Sequence, residues 1–129
     1  MAPAHSPEFL RLVEDARTRV REFSIDEFVS RLKAGERYVL LDVREDAEWA
    51  NGHIPSAHHL CRGVLERDIE RAIPDKDAAI VLYCDEGHRS VLATENLQRM
   101  GYANVFSLDG GWRGWNALGL PTVKPEPGL

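Results

Sequence analysis

Two short runs of apolar residues constrain the fold of this chain more than any other feature. Residues 38–43 read YVLLDV and residues 78–84 read AAIVLYC, and neither run alternates between apolar and polar positions. Continuous runs of this length are typical of strands that are buried on both faces of a parallel sheet. We therefore predict two central parallel strands here, with weaker strands at residues 56–60 and 104–108.

Helical patterns separate these strands. They occupy residues 45–52, 63–73 and 89–101, and in the third of them apolar residues recur at i, i+4 and i+7. Strands that alternate with helices predict an α/β domain of three layers, α/β/α, with right-handed crossovers. In such a domain the functional site lies in the loops at the carboxyl ends of the strands.

Two helices are predicted ahead of the first of these strands. In the first, Ser6 is the N-cap, Pro7 is the first helical residue, and the apolar spacing extends the helix to Val20. In the second, Ser24 and Glu27 have the spacing of a capping box. The first helix is amphipathic, so we expect it to pack on the domain or on a partner.

Size and charge exclude several classes of function. With 129 residues, 43% of them hydrophobic, the chain suffices for one domain, which we place at residues 22–121 between a helical extension (1–21) and a loose tail (122–129). The net charge of −5 is not grouped into blocks, which argues against nucleic acid or a membrane as partner. No segment resembles a signal peptide or a membrane-spanning helix, and the chain has two cysteines, so we expect a cytoplasmic protein.

The segment YCDEGHRS, residues 83–90, carries the strongest candidate for chemistry. Cys84 follows a central strand and Arg89 begins the next helix, so the four-residue loop between them must turn sharply, which Gly87 permits. Backbone N–H groups should then converge near Arg89 and favour the thiolate form of Cys84. The alternative is an unreactive core cysteine at the end of a strand.

The segment CDEGHRS resembles the active-site loop of the rhodanese sulfurtransferases, in which an arginine follows the cysteine by five residues. Residues 41–60 are similar to that family's first conserved block, and residues 108–121 resemble its closing segment of glycine and tryptophan. The resemblance covers residues 23–121 and implies a mainly parallel sheet of five strands between helices. It also implies a sulfurtransferase that needs no cofactor or metal.

The resemblance implies a two-step mechanism. The Cys84 thiolate would take a sulfane sulfur from thiosulfate or from a persulfide, and a thiol or cyanide would remove it. Donor and acceptor would be small molecules, although a protein persulfide is a further candidate partner. The implied substrate-binding residues are Asp85, Glu86, Gly87, His88 and Arg89. Arg62 is a further candidate, as a second substrate anchor, because it follows a strand end at the same edge of the sheet and arginine suits anionic substrates.

Two other functions remain open. Cysteine phosphatases and arsenate reductases of this fold class have one more residue between cysteine and arginine, which disfavours that activity here. A module that relays sulfur or senses redox state without turnover, held to a partner by the helix of residues 7–20, is the other alternative.

The acids of the loop bear on the choice of donor. Asp85 and Glu86 should repel a dianion such as thiosulfate, so we hypothesise that a persulfide is the donor. Carboxylates that point into solvent and are screened by salt would have no such effect, and this alternative is open.

Histidines, a second cysteine and an acid–base pair lie near the other strand ends. His58 and His59 should project from opposite faces of a strand, so the histidines near Cys61 leave too few ligands for zinc. Cys61 is either a resolving thiol or an ordinary loop residue, and the same choice applies to Arg62 as an anchor. The remaining predictions are structural: a bracing ion pair between Asp42 and Arg44, and a turn fixed by His53. At Ser56 the resembling family usually has glycine, and this departure leaves the geometry of the local turn open.

Overall fold

The computed structural model describes residues 5–125 of the chain, which form five strands and six helices. The strands are β1 (Arg21–Phe23), β2 (Val39–Asp42), β3 (His58–His59), β4 (Ile80–Tyr83) and β5 (Val105–Leu108). The helices are α1 (Pro7–Arg17), α2 (Ile25–Lys33), α3 (Asp46–Ala50), α4 (Leu65–Ala72), α5 (His88–Arg99) and α6 (Gly111–Ala117). The strands lie in the order β1-β5-β4-β2-β3, and all neighbouring pairs are parallel. The predicted α/β fold is therefore confirmed.

The central strand β4 explains the continuous apolar runs. Ile80 and Leu82 belong to the core that the sheet shares with α4 and α5. Val81 and Tyr83 belong to the opposite core, which the sheet shares with α2 and α6. All four side chains are fully buried. Because both faces of the strand are covered, each position needs an apolar or well-partnered side chain.

Both predicted N-caps are present. Ser6 Oγ accepts a hydrogen bond from the N–H of Phe9 at 3.3 Å, and Ser24 Oγ accepts one at 3.1 Å from the N–H three residues later. Helix α1 ends at Arg17 rather than at Val20, because the chain turns there to enter β1. Within residues 5–125 no helix combines the length and the apolarity needed to cross a bilayer.

Backbone pairing differs from the predictions in two places. Strand β1, which the sequence pattern did not reveal, pairs with β5 at the edge of the sheet. The tail predicted to be loose is anchored at Val123, which exchanges backbone hydrogen bonds of 2.8 and 3.0 Å with His53. The last part of that tail, residues 126–129, lies outside the described residues.

The turn at Ser56 has a backbone conformation that is typical of glycine. Ser56 adopts φ of +71°, the left-handed region that favours glycine.

Three parallel strands end at one edge of the sheet and place three segments there. Strand β2 leads to α3, β4 leads through the loop of Cys84 to α5, and β5 leads to α6. This is the edge at which a site was predicted.

Candidate active site

Cys84 follows β4 and opens the loop that leads into α5. Only 1% of the residue is exposed, and it borders the core beneath α4 and α5. It also lines a small cavity of about 80 Å³ that opens to solvent. The cavity is lined by His5, Phe9, Cys84, Asp85, Glu86, His88 and Arg89. Cys84 is therefore not enclosed by the core on every side, and a small reactant can approach it from the cavity.

Backbone N–H groups surround the sulfur of Cys84. The N–H groups of Gly87 and Ser90 donate to Sγ at 3.1 and 3.3 Å, with the inward orientation that the sequence predicts. Gly87 takes φ of +106° as the N-cap of α5, a conformation in which a side chain would be strained. The thiol donates to Ser90 Oγ at 3.4 Å, and Ser90 Oγ lies 2.8 Å from Ser107 Oγ. Such donors stabilise negative charge on a sulfur.

Arg89 lines the cavity but already has an anionic partner. Its guanidinium donates two hydrogen bonds to the carboxylate of Glu48, at 2.8 and 2.9 Å. These bonds hold the pKa of Glu48 below its usual range, against the opposing effect of burial. The N–H of Glu45 also donates to Glu48, at 3.0 Å. Glu48 was not predicted from the sequence, although its capping-box spacing from Glu45 at the start of α3 was a signal that this side chain is held in place.

Arg113 of α6, which was not predicted from the sequence, lies beside the loop as a second cation. Its guanidinium is 2.8 Å from Asp85 Oδ2 and 3.1 Å from Glu86 Oε1. The N–H groups of Trp112 and Arg113 donate to the carbonyls of Cys84 and Asp85 at 2.8 and 2.9 Å. The two loop carboxylates are therefore paired with one cation, which neither of the two sequence-based alternatives anticipated.

The N-terminal helix reaches the cavity. Helix α1 packs on α5 in a small apolar cluster that includes Val13 and Val91. This packing brings His5 and Phe9 to the cavity, where the ring of His5 lies edge-on to that of His88 with 4.6 Å between centroids. Burial lowers the pKa of His88, and the neighbouring His5 lowers it further. The amphipathic helix thus packs on its own domain and contributes to the candidate site.

Cys61 and Arg62 lie on the far side of β2 from the cavity. The N–H of Arg62 donates to Val43 O at 3.1 Å, and the N–H of Val43 donates to Tyr83 O at 3.0 Å. Two strand spacings, about 10 Å, therefore separate Cys61 from the Cys84 loop, which is too far for a disulfide. Both cysteines are free. The described residues that line the cavity do not include Arg62. Its role as a substrate anchor therefore stays a prediction.

Asp42 and Arg44 form the predicted bracing ion pair. Arg44 Nη2 lies 2.7 Å from Asp42 Oδ2 and donates to Gly52 O at 2.6 Å. Both side chains are at most 2% exposed. The guanidinium also lies over the ring of Trp112, 4.7 Å from its centroid. This pair joins the end of β2 to the turn after α3 and to α6.

Two histidines near β3, His53 and His59, contact backbone carbonyls. His53 Nδ1 lies 2.9 Å from Ile54 O, and His59 Nε2 lies 2.8 Å from Arg44 O. His58 is exposed whereas His59 is partly buried, in keeping with opposite faces of the strand.

A different group of candidate metal ligands converges at the mouth of the cavity. Its members are His5, Glu86 and His88, whose ligand atoms all lie within 4.8 Å of one another.

Comparison with known proteins gives the family. The family model described as rhodanese-like domain matches residues 24–118. A protein named sulfurtransferase from Allochromatium vinosum is 36% identical over 107 residues, which is 83% of this chain and 98% of the relative.

Two solved structures show the same fold. One is a protein of unknown function from Rhodopseudomonas palustris that is described as a possible tyrosine phosphatase. It superposes with a TM-score of 0.82 at 26% identity, and the match covers 95% of this chain and 99% of that protein. A homodimeric polysulfide-sulfur transferase from Wolinella succinogenes superposes with a TM-score of 0.75 at 25% identity, covering 92% and 89%. The family match contains the Cys84 loop and most of the chain. The chain therefore belongs to the rhodanese-like sulfurtransferase family.

Proposed function

We propose that this chain moves a sulfane sulfur from a donor to an acceptor through a persulfide on Cys84. The observation that carries the proposal is the hydrogen bonding of Cys84 Sγ, which accepts from Gly87 N–H at 3.1 Å and from Ser90 N–H at 3.3 Å beside an open cavity. The same donors can stabilise the charge of the thiolate and the charge of the persulfide formed from it.

The reaction consists of two displacements. The Cys84 thiolate attacks the outer sulfur of the donor, a new S–S bond forms, and the leaving group departs with the electron pair of the donor bond that breaks. An acceptor thiolate or cyanide then attacks the outer sulfur of the persulfide, and the Cys84 thiolate leaves. The two steps need no external oxidant and no cofactor.

The spacing and the pairing of Arg89 favour sulfur transfer over phosphate chemistry. Four residues separate Cys84 from Arg89, one fewer than in the related phosphatases. Arg89 is also paired with Glu48 instead of being free to bind a phosphate. Hydrolysis of aryl phosphates is therefore the weaker candidate, and we expect none.

The charges around the cavity favour a donor that is not a dianion. Asp85 and Glu86 share the single cation Arg113, while Arg89 is neutralised by Glu48. These five groups leave one negative charge in excess. A dianion such as thiosulfate is repelled more strongly than an organic persulfide, which carries at most one negative charge on its sulfur atoms. We therefore place persulfides, free or bound to a protein partner, ahead of thiosulfate as donors.

The double variant Asp85→Asn/Glu86→Gln tests the choice of donor. The KM for thiosulfate should fall about threefold to tenfold, since unit charges about 4 Å apart in water interact by about 1 kcal/mol. The KM for an organic persulfide should change less, because it carries at most one negative charge on its sulfur atoms. Glu70→Gln, an exposed residue of α4, is the control for a change in net charge. An unchanged KM for thiosulfate in the double variant would contradict the charge argument.

Turnover assays test the proposal itself. We expect wild type and Cys61→Ser to transfer sulfur from polysulfide to a small thiol or cyanide, and Cys84→Ser to be inactive. Transfer that is seen only with a protein acceptor would favour the sulfur-relay alternative. Hydrolysis of an aryl phosphate that is lost in Cys84→Ser would instead favour the phosphatase.

A further inference from the structure

Three side chains at the mouth of the Cys84 cavity combine groups that bind metal ions. His5 precedes α1, while Glu86 and His88 flank Gly87 in the cysteine loop. One ligand atom of each lies within 4.8 Å of the others, and His5 Nε2 is 3.8 Å from Glu86 Oε1. Two imidazoles and one carboxylate are a ligand set that zinc sites in proteins use.

The spacing is close to what a tetrahedral ion requires. Ligand atoms about 2.0–2.2 Å from zinc lie about 3.4 Å from one another. The pair of His5 and Glu86 is therefore a few tenths of an ångström too wide, and side-chain rotations would have to close at most about 1.4 Å for the other pairs, which lie within 4.8 Å. The side chains of His5 and Glu86 are 39% and 33% exposed, so they have room to rotate.

The local charge is compatible with a cation. Glu86 Oε1 contacts Arg113 at 3.1 Å, and because a carboxylate oxygen has two lone pairs, the same oxygen can bind an ion while this contact persists. Asp85 adds a further negative charge beside the mouth. Packing of the rings of His5 and His88 would account for their contact with each other, but it does not require a carboxylate beside them.

We propose that His5, Glu86 and His88 bind a divalent transition metal, with zinc the best match, at the mouth of the Cys84 cavity. The bound ion lies between solvent and the sulfur, and it links the segment before α1 to the cysteine loop. Zinc binding should therefore restrict access to Cys84. Binding at this place does not depend on the proposed sulfur transfer.

Zinc binding to the full chain is measured by competition with a chromophoric chelator. We expect one ion per chain in wild type, and an affinity at least about tenfold weaker in His5→Ala and Glu86→Gln, since even changes behind the ligands of a metal site have effects of that size. His58→Ala, an exposed histidine of β3, is the matched control and should bind like wild type. Cys84→Ser should also bind, which separates this site from zinc held by the thiolate.

Three results would overturn the proposal: no zinc binding by wild type, unchanged affinity in His5→Ala, or loss of binding in Cys84→Ser. His5 is exposed and lies outside α1, so its replacement leaves the core intact, and a circular dichroism spectrum checks this.

Alkylation by iodoacetamide, located by peptide mass, tests where the ion lies. Zinc should slow the alkylation of Cys84 in wild type but not in His5→Ala, and Cys61 serves as the internal control in both. An unchanged rate at Cys84 in wild type with zinc bound would contradict a site at the cavity mouth. Neither experiment uses a sulfur donor, so a failure here is distinguishable from a failure of the proposed function.

Discussion

Replacing Gly111 by alanine should disrupt the cysteine loop, because Gly111, the first residue of α6, lies directly against the backbone of that loop. Gly111 has φ of +50°, and a Cβ added there would lie 2.3 Å from Cys84 O and 2.9 Å from Asp85 O. Carbon contacts are favourable at about 3.5–4.0 Å, so the loop and α6 would have to separate by about 1 Å. The N–H groups of Trp112 and Arg113 now donate to those same two carbonyls.

The expected loss in the free energy of unfolding follows from these contacts. Two weakened backbone hydrogen bonds are worth about 0.5–1.5 kcal/mol each, overpacking adds about 1–3 kcal/mol, and the left-handed backbone of an alanine adds about 1 kcal/mol. Gly111→Ala should therefore lower the free energy of unfolding by at least about 3 kcal/mol. Gly119→Ala is the matched control, since Gly119 has φ of +68° and nothing lies within 4 Å of an added Cβ. That variant should lose only about 1 kcal/mol.

Urea unfolding measures both losses, and the rate of sulfur loading on Cys84 measures the effect on the loop. Gly111→Ala should be the less stable variant and should load sulfur more slowly, while Gly119→Ala should load at the wild-type rate. Equal losses of stability in the two variants would refute the close approach of α6 to the loop as the cause.

Two further predictions concern ion pairs. Asp42→Asn leaves the buried arginine Arg44 without its anionic partner, so the free energy of unfolding in urea should fall by about 3–5 kcal/mol. The control Glu8→Gln removes an exposed partner and should cost less than about 1 kcal/mol. Similar losses in the two variants would contradict the role of burial. The pKa of Glu48 is lowered below its ordinary 4.5 by Arg89, so the stability from this pair is present above that value and is lost as pH falls through the lower folded value. The difference in unfolding midpoint between wild type and Glu48→Gln should therefore be full near about pH 7 and should shrink as the pH falls below 4.5; a constant difference would contradict this.

The elements that follow local rules could be predicted from the sequence. The continuous apolar runs located β2 and β4 because both faces of these strands are covered. Ser6 and Ser24 marked the starts of α1 and α2 because a capping side chain acts within three residues of its own position. The turn at Gly87 followed from the short distance between a strand and a helix.

The elements that depend on distant parts of the chain could not be predicted in this way. Strand β1 is a mainly polar edge strand of three residues, and only its pairing with β5 defines it. Glu48 is 41 residues from Arg89, and Arg113 is 28 residues from Asp85, so no local pattern links either pair. The packing of α1 on α5 brought His5 to the cysteine loop, a contact that an amphipathic pattern alone does not specify.

The central claim is that Cys84 carries the transferred sulfur, and peptide mass after incubation with polysulfide tests it most directly. We predict a gain of one sulfur atom on the peptide that contains Cys84, absent in Cys84→Ser and removed when a thiol or cyanide acceptor is added. A gain located on Cys61, or no gain at Cys84 under conditions of turnover, would contradict the claim.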